Sequence, residues 1–264
     1  MKISILGCGW LGLPLGKFLV ERGHQVKGST TSENKFPLLQ NVGISPYLLQ
    51  FSPAIEGEKL SDFLQSEVLI ICIPPRARKF GEDYHIQQIQ SLASALATST
   101  IQSVIYTSST SVYPDLNKEV TENDVVNENS ALIKVENLLK NLENIQTTIL
   151  RCGGLMGYER IGAKYFAGKR INTGNIPVNY VHQDDVVAII TMILEKGFWQ
   201  ETYNVVSPEH PIRKTVFLKN CEKYGFEKPI FEEATEEIPF KIISPKKLIE
   251  QTAYQFKYEN PSDF

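Results

Sequence analysis

The sequence contains no stretch of apolar residues long enough to cross a membrane. A transmembrane helix needs about 20 consecutive apolar residues, and no segment of the 264-residue chain approaches that length. The chain also begins without a charged and then apolar segment of the secretory type, because residues 2–6 run directly into a glycine-rich loop. We therefore expect a cytoplasmic protein with no membrane partner.

Cysteine is scarce, and no two cysteines are close in the sequence. Cys8, Cys72, Cys152 and Cys221 form no Cys-x-x-Cys pair, so their spacing predicts neither a zinc site nor a disulfide framework. We expect reduced thiols and no metal centre.

An excess of positive charge is also missing. Lysine and arginine number 27, aspartate and glutamate number 30, and the formal net charge is −3. A protein that binds nucleic acid through its phosphates needs a concentrated basic surface, so we expect no nucleic-acid partner. The 42% of hydrophobic residues is ordinary for a globular protein. We expect a small-molecule substrate, and a monomer or a homodimer.

What the sequence does contain is an alternation of short apolar runs with amphipathic stretches, which is typical of βαβ units. Strands are predicted at 2–6, 25–29, 47–51, 68–73, 103–107 and 147–151, and helices at 11–22, 32–40, 61–65, 83–97 and 129–142. We predict an α/β fold, a Rossmann-type doubly wound parallel sheet with a small C-terminal substrate-side lobe. The core is expected over 1–155, completed by a strand near 203–206. Residues 156–264 are expected mainly to form the lobe, packed with the core as one unit.

The loop between the first predicted strand and helix indicates a dinucleotide cofactor. Gly7, Gly9 and Gly12 have the spacing Gly-x-Gly-x-x-Gly, which is weak alone but significant where a strand ends and a helix begins. The first glycine permits a tight turn, the second lets the pyrophosphate approach the backbone, and the third lets the helix pack on the strand. Trp10 and Leu11 lie in the same loop, and we expect them to contact the cofactor.

No acidic residue ends the second predicted strand. NAD-binding sites often place Asp or Glu there to bind the ribose 2′-hydroxyl, whereas this strand ends in Ser29, Thr30 and Thr31, with Lys35 nearby. A carboxylate would repel a 2′-phosphate, so its absence favours NADP(H), with NAD(H) as the alternative. The other interpretation of this segment is a polar turn without a ligand.

Two further strand ends are expected at the cofactor crevice, because ligands of doubly wound sheets bind at the carboxyl ends of the strands. They supply Ile73 and Pro74 after the fourth predicted strand, and Thr107 and Ser108 after the fifth.

Two basic segments are candidates for binding an anionic substrate. The loop after Pro74 contains three cations in four residues, 76–79, of which Arg76 comes first, and Lys169 lies in the predicted lobe. Both segments are equally compatible with a solvated surface, where lysines are common.

Several later segments, taken with the glycine loop, resemble the extended and atypical short-chain dehydrogenase/reductase superfamily, which contains NAD-dependent epimerases, dehydratases and reductases. Within it, the chain resembles small bacterial proteins of the YeeZ type, and this likeness covers nearly the whole chain. The matching segments are residues 108–113 (Ser-Ser-Thr-Ser-Val-Tyr), 149–157, 181–186, 203–205, 246–248 and 254–256. The resemblance implies an NAD(P)-dependent oxidoreductase or epimerase that acts on a small hydroxyl- or carbonyl-bearing substrate, such as a sugar derivative.

The resemblance also implies a catalytic serine. In this superfamily, the serine four residues before the tyrosine of the Ser-Ser…Val-Tyr motif contacts the reacting oxygen, and that position here is Ser109. A hydroxyl at the carboxyl end of a parallel strand faces the cofactor crevice, which agrees with this role. The alternative is a hydroxyl that caps a turn.

The superfamily's usual Tyr-x-x-x-Lys pair is absent from residues 127–136, which contain no tyrosine. Alignment on Glu136 places Glu128 at the tyrosine position, and alignment on Lys134 places Ser130 there. General acid–base catalysis contributes typically 10²–10⁴-fold, so another group must replace the pair in an active enzyme.

Four residues are candidates for that acid or base: Tyr113, Tyr84, His182 and Glu128. We predict Ser109, Tyr113 and His182 as catalytic residues, since histidine titrates near neutral pH. His182 also fits a structural position at a strand-to-helix turn.

Three functions follow from these features. The first is an NAD(P)-dependent oxidoreductase or epimerase that works without the usual pair. The second is a non-catalytic NADP(H)-binding sensor or scaffold. The third is a β-hydroxyacid-dehydrogenase-like enzyme, whose fold begins with the same loop but continues into a long helical domain. The strand-like residues 178–181 and 203–206 argue against the third.

Overall fold

In the computed structural model, which describes residues 1–264 without a gap, strands and helices alternate along the chain. The strands are β1 (Lys2–Leu6), β2 (Gln25–Thr30), β3 (Ser45–Leu48), β4 (Gln50–Phe51), β5 (Ile55–Glu56), β6 (Val68–Ile71), β7 (Ser103–Ser109), β8 (Glu119–Val120), β9 (Gln146–Cys152), β10 (Gly154–Met156), β11 (Arg170–Ile171), β12 (Tyr180–His182), β13 (Thr202–Val205), β14 (Ile230–Phe231) and β15 (Ile242–Ile243). The helices are α1 (Gly12–Glu21), α2 (Phe36–Gln40), α3 (Leu60–Phe63), α4 (Ala77–Phe80), α5 (Asp83–Leu96), α6 (Ala131–Lys140), α7 (Gln183–Lys196), α8 (Arg213–Tyr224) and α9 (Lys246–Thr252). None of these helices combines the length and the apolar character that a bilayer span requires.

Seven strands form one parallel sheet in the order β13-β9-β7-β6-β1-β2-β3. Ile3 of β1 pairs with Val26 of β2 on one side and with Val68 of β6 on the other. The chain therefore builds outward from β1 to β3 and then continues from β6 on the opposite side. This reversal beside β1 confirms the predicted doubly wound α/β fold, and the carboxyl ends of β1 and β6 form the place where such sheets bind ligands.

Local sequence explains the elements that surround this place. Every residue of β6 is buried, as a central parallel strand covered on both faces requires. Helix α1 buries Leu15, Gly16 and Leu19, which recur at helical spacing. Each fully buried leucine contributes about 1.5–3 kcal/mol relative to an exposed one, so the helix is held firmly behind the glycine loop.

The predicted strand at 47–51 is interrupted. Strand β3 ends at Leu48, the Leu49 N–H donates to the Thr30 carbonyl, and β4 pairs with β5 as a short antiparallel hairpin. The chain thus turns away from the sheet one residue after β3. The strand predicted at 103–107 is longer than expected and continues through Ser109. The predicted helix at 129–142 is observed at 131–140, with the Ser130 hydroxyl accepting from the Leu132 N–H as its N-cap.

The chain divides into two compact units, each assembled from three segments. The first unit comprises Met1–Ser108, Asn127–Leu150 and Ile190–Thr202, and the second comprises Ser109–Val126, Arg151–Ile189 and Tyr203–Phe264. Buried residues such as Leu6, Ile71 and Tyr106 form the core of the first unit. Val178 and Phe217 belong to a separate apolar cluster in the second.

Candidate functional site

The three glycines of the loop after β1 have different structural demands. Gly7 has a φ of +100°, and a Cβ there would lie 2.9 Å from Ile73 Cγ2. A Cβ on Gly12 would lie 2.3 Å from the Gly7 carbonyl oxygen, so only glycine lets α1 approach the loop this closely. A Cβ on Gly9 would meet nothing within 4 Å. The first and third glycines are therefore required by the fold, whereas the second borders open space.

Ser29 fastens the loop to the end of β2. The Gly7 N–H donates to Ser29 Oγ over 2.8 Å, and the Cys8 N–H donates to the Ser29 carbonyl over 2.9 Å. Ser29 is buried. The hydroxyl that the sequence predicts as a phosphate contact thus also holds the glycine loop in shape.

Two contiguous pockets of the first unit, of about 140 and 220 Å³, form a cleft at this loop. We call it the cofactor cleft, after the predicted cofactor residues that line it. The first pocket is lined by Leu6, Gly7, Cys8, Gly9, Ser29, Thr30, Thr31, Lys35, Leu49, Phe51, Cys72, Ile73, Pro74 and Arg76, and the second adds Gln50, Tyr84 and Gln88. The structure thereby brings together seven of the predicted cofactor residues, and it places Arg76, predicted to bind substrate, with them.

The other predicted cofactor residues do not line this cleft. Trp10 and Leu11 are absent from its wall, and Leu11 is part of the core. The Ser108 hydroxyl donates to the buried carboxylate of Glu136 over 2.6 Å, and Thr107 Oγ1 donates to the Ile71 carbonyl over 2.9 Å. Both hydroxyls therefore donate hydrogen bonds within the first unit.

The cofactor cleft favours negatively charged ligands. Lys35 and Arg76 line it, and no carboxylate does. Burial raises the pKa of the Cys72 thiol to about 12, and it also raises the pKa of Cys8. Both sulfurs are therefore neutral at physiological pH, and the cleft carries only positive formal charge.

A larger cavity of about 470 Å³ lies in the first unit along β3, away from the glycine loop. Glu33, Glu56 and Glu58 line it, with Lys59 as the single cation. Three carboxylates would repel phosphate groups, so size alone does not identify the cofactor site.

A cleft of about 350 Å³ in the second unit contains Ser109, and we call it the Ser109 cleft. The Ser109 oxygen accepts from the Ser111 N–H over 3.2 Å, so the hydroxyl caps a turn and lines the cleft at once. Lys241 lies in the same cleft, 3.0 Å from the Asp115 carboxylate, and donates to the Tyr113 carbonyl over 2.6 Å. Tyr180 and Arg213 also line its wall.

Tyr113, predicted as catalytic, is a core residue with 2% exposure and is not part of the Ser109 cleft. Its hydroxyl donates to Asn204 Oδ1 over 2.8 Å and accepts from Arg151 Nη1 over 2.7 Å. Burial raises the pKa of the hydroxyl, and the Arg151 guanidinium opposes this only in part. A general acid near neutrality needs the opposite shift, so the geometry describes a structural tyrosine.

His182, also predicted as catalytic, is buried at the end of β12, directly before α7, and does not line the Ser109 cleft. Its ring lies 3.8 Å from that of Tyr258, centroid to centroid, and its Nδ1 accepts from the Asp184 N–H over 3.1 Å. Burial lowers its pKa, although Asp184 and Asp185 act in the other direction. These contacts match the alternative of a structural histidine at a strand-to-helix turn.

The remaining candidates are dispersed. Tyr84 lines the cofactor cleft and donates to the Phe51 carbonyl over 2.8 Å. Glu128 is exposed, and Ser130 serves as the cap of α6, so neither alignment of that segment yields an acid–base pair. Lys169 is exposed and donates to the Tyr165 carbonyl over 2.9 Å, outside both clefts.

Sequence reasoning missed most of the Ser109 cleft, in particular Asp115, Tyr180, Arg213 and Lys241. No local pattern marks these residues, because they come from four separate stretches of chain. One isolated bridge, between Pro177 and Ile212, brings the segment before β12 beside the start of α8. A pairing between residues 35 positions apart, with β12, α7 and β13 between them, has no sequence signature.

Comparison with known proteins identifies a relative of this chain and solved structures of the same fold. No family model matches the sequence. The chain is 33% identical over 266 aligned positions to Protein YeeZ of Escherichia coli K12, covering 98% of this chain and 97% of that protein.

Two solved structures show the same fold. The UDP-glucuronic acid 4-epimerase from Bacillus cereus, in complex with UDP-glucuronic acid and NAD, has a TM-score of 0.80 at 20% identity, covering 100% of this chain and 96% of that one. A short-chain dehydrogenase/reductase superfamily protein from Agrobacterium tumefaciens with bound NAD has a TM-score of 0.77 at 15% identity, covering 98% and 93%.

Proposed function

This chain belongs to the YeeZ family, and from that premise we propose that it is an NADP(H)-dependent oxidoreductase or epimerase. Its substrate in this proposal is a small molecule with a hydroxyl or carbonyl group. The nicotinamide cofactor, when bound, supplies or accepts a hydride. The protein's own residues hold the cofactor phosphates in one cleft and the reacting oxygen in the other.

The open space at Gly9 is the observation that carries the proposal. Gly7 and Gly12 make the loop compact, and Gly9 lies where an added methyl group would meet no protein atom within 4 Å. A loop built for packing alone would not need glycine at this position. A pyrophosphate that must approach the backbone does need it, and the N-terminus of α1 adds favourable N–H dipoles.

The charge of the cofactor cleft supports NADP(H) over NAD(H). Thr31, Lys35 and Arg76 share the first pocket, beyond the end of β2 where the adenosine ribose of a dinucleotide binds. Arg76 binds a 2′-phosphate bidentately in this proposal, a role that replaces the predicted contact with substrate. The two solved structures named above contain NAD, so the proposed preference for NADP(H) rests on the residues of this chain and not on those structures.

Ser109 and Lys241 are proposed to bind the reacting oxygen. An ammonium group has three N–H donors, and Lys241 uses two of them, on Asp115 and on the Tyr113 carbonyl. The third N–H remains for a ligand in the Ser109 cleft. Together with the serine hydroxyl, it stabilises negative charge on a carbonyl or alkoxide oxygen, which is commonly a large term in catalysis.

Calorimetric titration with NADPH and NADH tests the cofactor assignment. We expect micromolar binding of NADPH and at least tenfold weaker binding of NADH. In Arg76→Gln the two affinities should converge, whereas Arg78→Gln, which alters a neighbouring cation outside the cleft lining, should preserve the preference. Absence of binding by either cofactor would refute the proposal.

The alternative is a cofactor-binding sensor or scaffold without catalysis, and the absent Tyr-x-x-x-Lys pair together with the buried Tyr113 favours it. Cofactor absorbance, followed with a panel of small carbonyl and hydroxyl compounds, distinguishes the two. An enzyme should show turnover that falls at least 100-fold in Ser109→Ala and in Lys241→Met. A sensor should bind NADPH normally and show no turnover with any compound.

A further inference from the structure

Arg213 is a cation of the Ser109 cleft that has no acidic partner. It is half-buried at the first position of α8, and its Nη1 donates to Thr173 Oγ1. Its guanidinium also hydrogen-bonds the Tyr180 hydroxyl. Both partners are neutral, and no carboxylate lies within ion-pair distance. The other cation of the cleft, Lys241, is paired with Asp115, so the lining has one uncompensated positive charge.

The position of Arg213 makes this charge unfavourable in the free protein. A helix N-terminus carries a partial positive charge, and a cation there is destabilised where an anion would be stabilised. The first turn of α8 contains Arg213 and Lys214 and no acidic residue. The first turn of α7, by contrast, contains Asp184 and Asp185. An anionic ligand bound at Arg213 would offset this unfavourable charge.

The guanidinium, and not the helix end, is the binding group. The Arg213 N–H donates to the Ile176 carbonyl over 2.9 Å, and the Lys214 N–H donates to the Gly174 carbonyl over 2.8 Å. These backbone donors are therefore used within the protein. The Thr173 and Tyr180 oxygens orient the guanidinium, which has five N–H donors in a planar fork, so donors remain for a carboxylate or phosphate.

We propose that the substrate carries an anionic group, a carboxylate or a phosphate ester, and that Arg213 binds it in the Ser109 cleft. This inference rests on the proposed function, because it takes the Ser109 cleft as the substrate site. The acidic group is bound at Arg213 while Ser109 and Lys241 contact the reacting oxygen. The substrate class is thus a small hydroxy or carbonyl acid, or a phosphorylated sugar.

The test measures binding of small sugars to the wild-type protein without cofactor, by calorimetry at low ionic strength. The probes are glucose 6-phosphate, gluconate and uncharged glucose. We expect at least one of the two anions to bind tenfold or more tightly than glucose, and which anion does so separates phosphate from carboxylate recognition. No advantage of either anion over glucose overturns the proposal.

Three variants assign the effect to Arg213. Arg213→Gln should reduce the affinity for the anionic sugar, relative to that for glucose, at least tenfold. Arg213→Lys keeps the positive charge but lacks the planar guanidinium, and it should reduce the preference for the anion over glucose at least threefold. This variant keeps the test decisive if Arg213→Gln does not fold. Lys214→Gln is the matched control, because Lys214 is exposed, lies over the Phe231 ring and is outside the cleft. It should bind within twofold of wild type. Undiminished binding by both Arg213 variants, or an equal loss in Lys214→Gln, overturns the assignment.

A parallel NADPH titration separates this proposal from the preceding one. Arg213→Gln should bind NADPH as the wild type does. If the wild type binds an anionic sugar through Arg213 but does not bind NADPH, the oxidoreductase proposal fails and the anion site stands. If NADPH binds and the anionic sugars do not, the anion site fails and the cofactor proposal stands.

Discussion

Gly9→Ala and Gly12→Ala should separate cofactor binding from folding, although both change one glycine of the same loop. At Gly9 an added Cβ meets no atom within 4 Å, and its φ is outside the left-handed region, so alanine fits without strain. At Gly12 the added Cβ would be 2.3 Å from the Gly7 carbonyl oxygen. We therefore expect Gly9→Ala to fold normally and bind cofactor poorly, and Gly12→Ala to be destabilised.

The expected magnitudes follow from the contacts. Replacing glycine by alanine at an unstrained position stabilises a protein by about 0.4–1 kcal/mol through the unfolded state. For Gly9→Ala this raises the unfolding temperature by roughly 1–4 °C. Overpacking costs about 1–3 kcal/mol, so Gly12→Ala should unfold about 2–12 °C below wild type.

A methyl group at Gly9 displaces the pyrophosphate from the loop. A hydrogen bond to a charged group contributes about 1.5–3 kcal/mol, so each one lost weakens binding roughly 10- to 150-fold.

Differential scanning calorimetry and NADPH titration measure the two effects on the same preparations. Wild-type NADPH affinity in a normally folded Gly9→Ala protein would refute the placement of the pyrophosphate at this loop. An unfolding temperature of Gly12→Ala equal to that of wild type would refute the argument that glycine is required for packing α1 against the loop.

Two further predictions concern Tyr113 and the four histidines. Tyr113→Phe removes the hydroxyl that bonds Arg151 and Asn204. Denaturant unfolding should therefore show a free energy of unfolding that is about 1–3 kcal/mol lower, with NADPH affinity unchanged. A loss of turnover at full stability would instead establish a catalytic tyrosine. All four histidines have a pKa lowered mainly by burial, so the unfolded chain takes up more protons below its histidine pKa of about 6.5. The histidine contribution to stability is therefore complete above pH 6.5 and is lost as the pH falls toward the lower pKa values of the folded protein. The unfolding temperature should be lower at pH 5.5 than at pH 7.5. The aspartates whose pKa is lowered, such as Asp124, change protonation only below about pH 4, so they do not affect stability between pH 5.5 and 7.5. Equal unfolding temperatures at the two pH values would contradict the burial argument.

The strands of the central sheet and the glycine loop were predictable because their determinants are local. Strand β1 is observed at the predicted residues 2–6, and β6 is a continuous apolar run, which is what a strand covered on both faces requires. The demand for glycine at position 7 arises from a backbone turn within a few residues of it. The prediction was wrong where β3 ends at Leu48, because the following residues 50–51 pair with β5 in an antiparallel hairpin instead of continuing along β2.

The amino-acid sequence by itself determined the doubly wound fold, the glycine-rich loop after β1 and the absence of an acidic residue at the end of β2. Periodicity, turn residues and charge are properties of neighbouring residues, and they are visible without a structure. Only the tertiary structure decided which side chains face each cleft. It turned the Ser108 hydroxyl toward Glu136 and buried Tyr113 between Arg151 and Asn204. It also brought Arg213 and Lys241 to the cleft of Ser109. These arrangements bring together residues 28 to 132 positions apart in the chain, and such separations are closed by the packing of the whole fold and not by any local pattern.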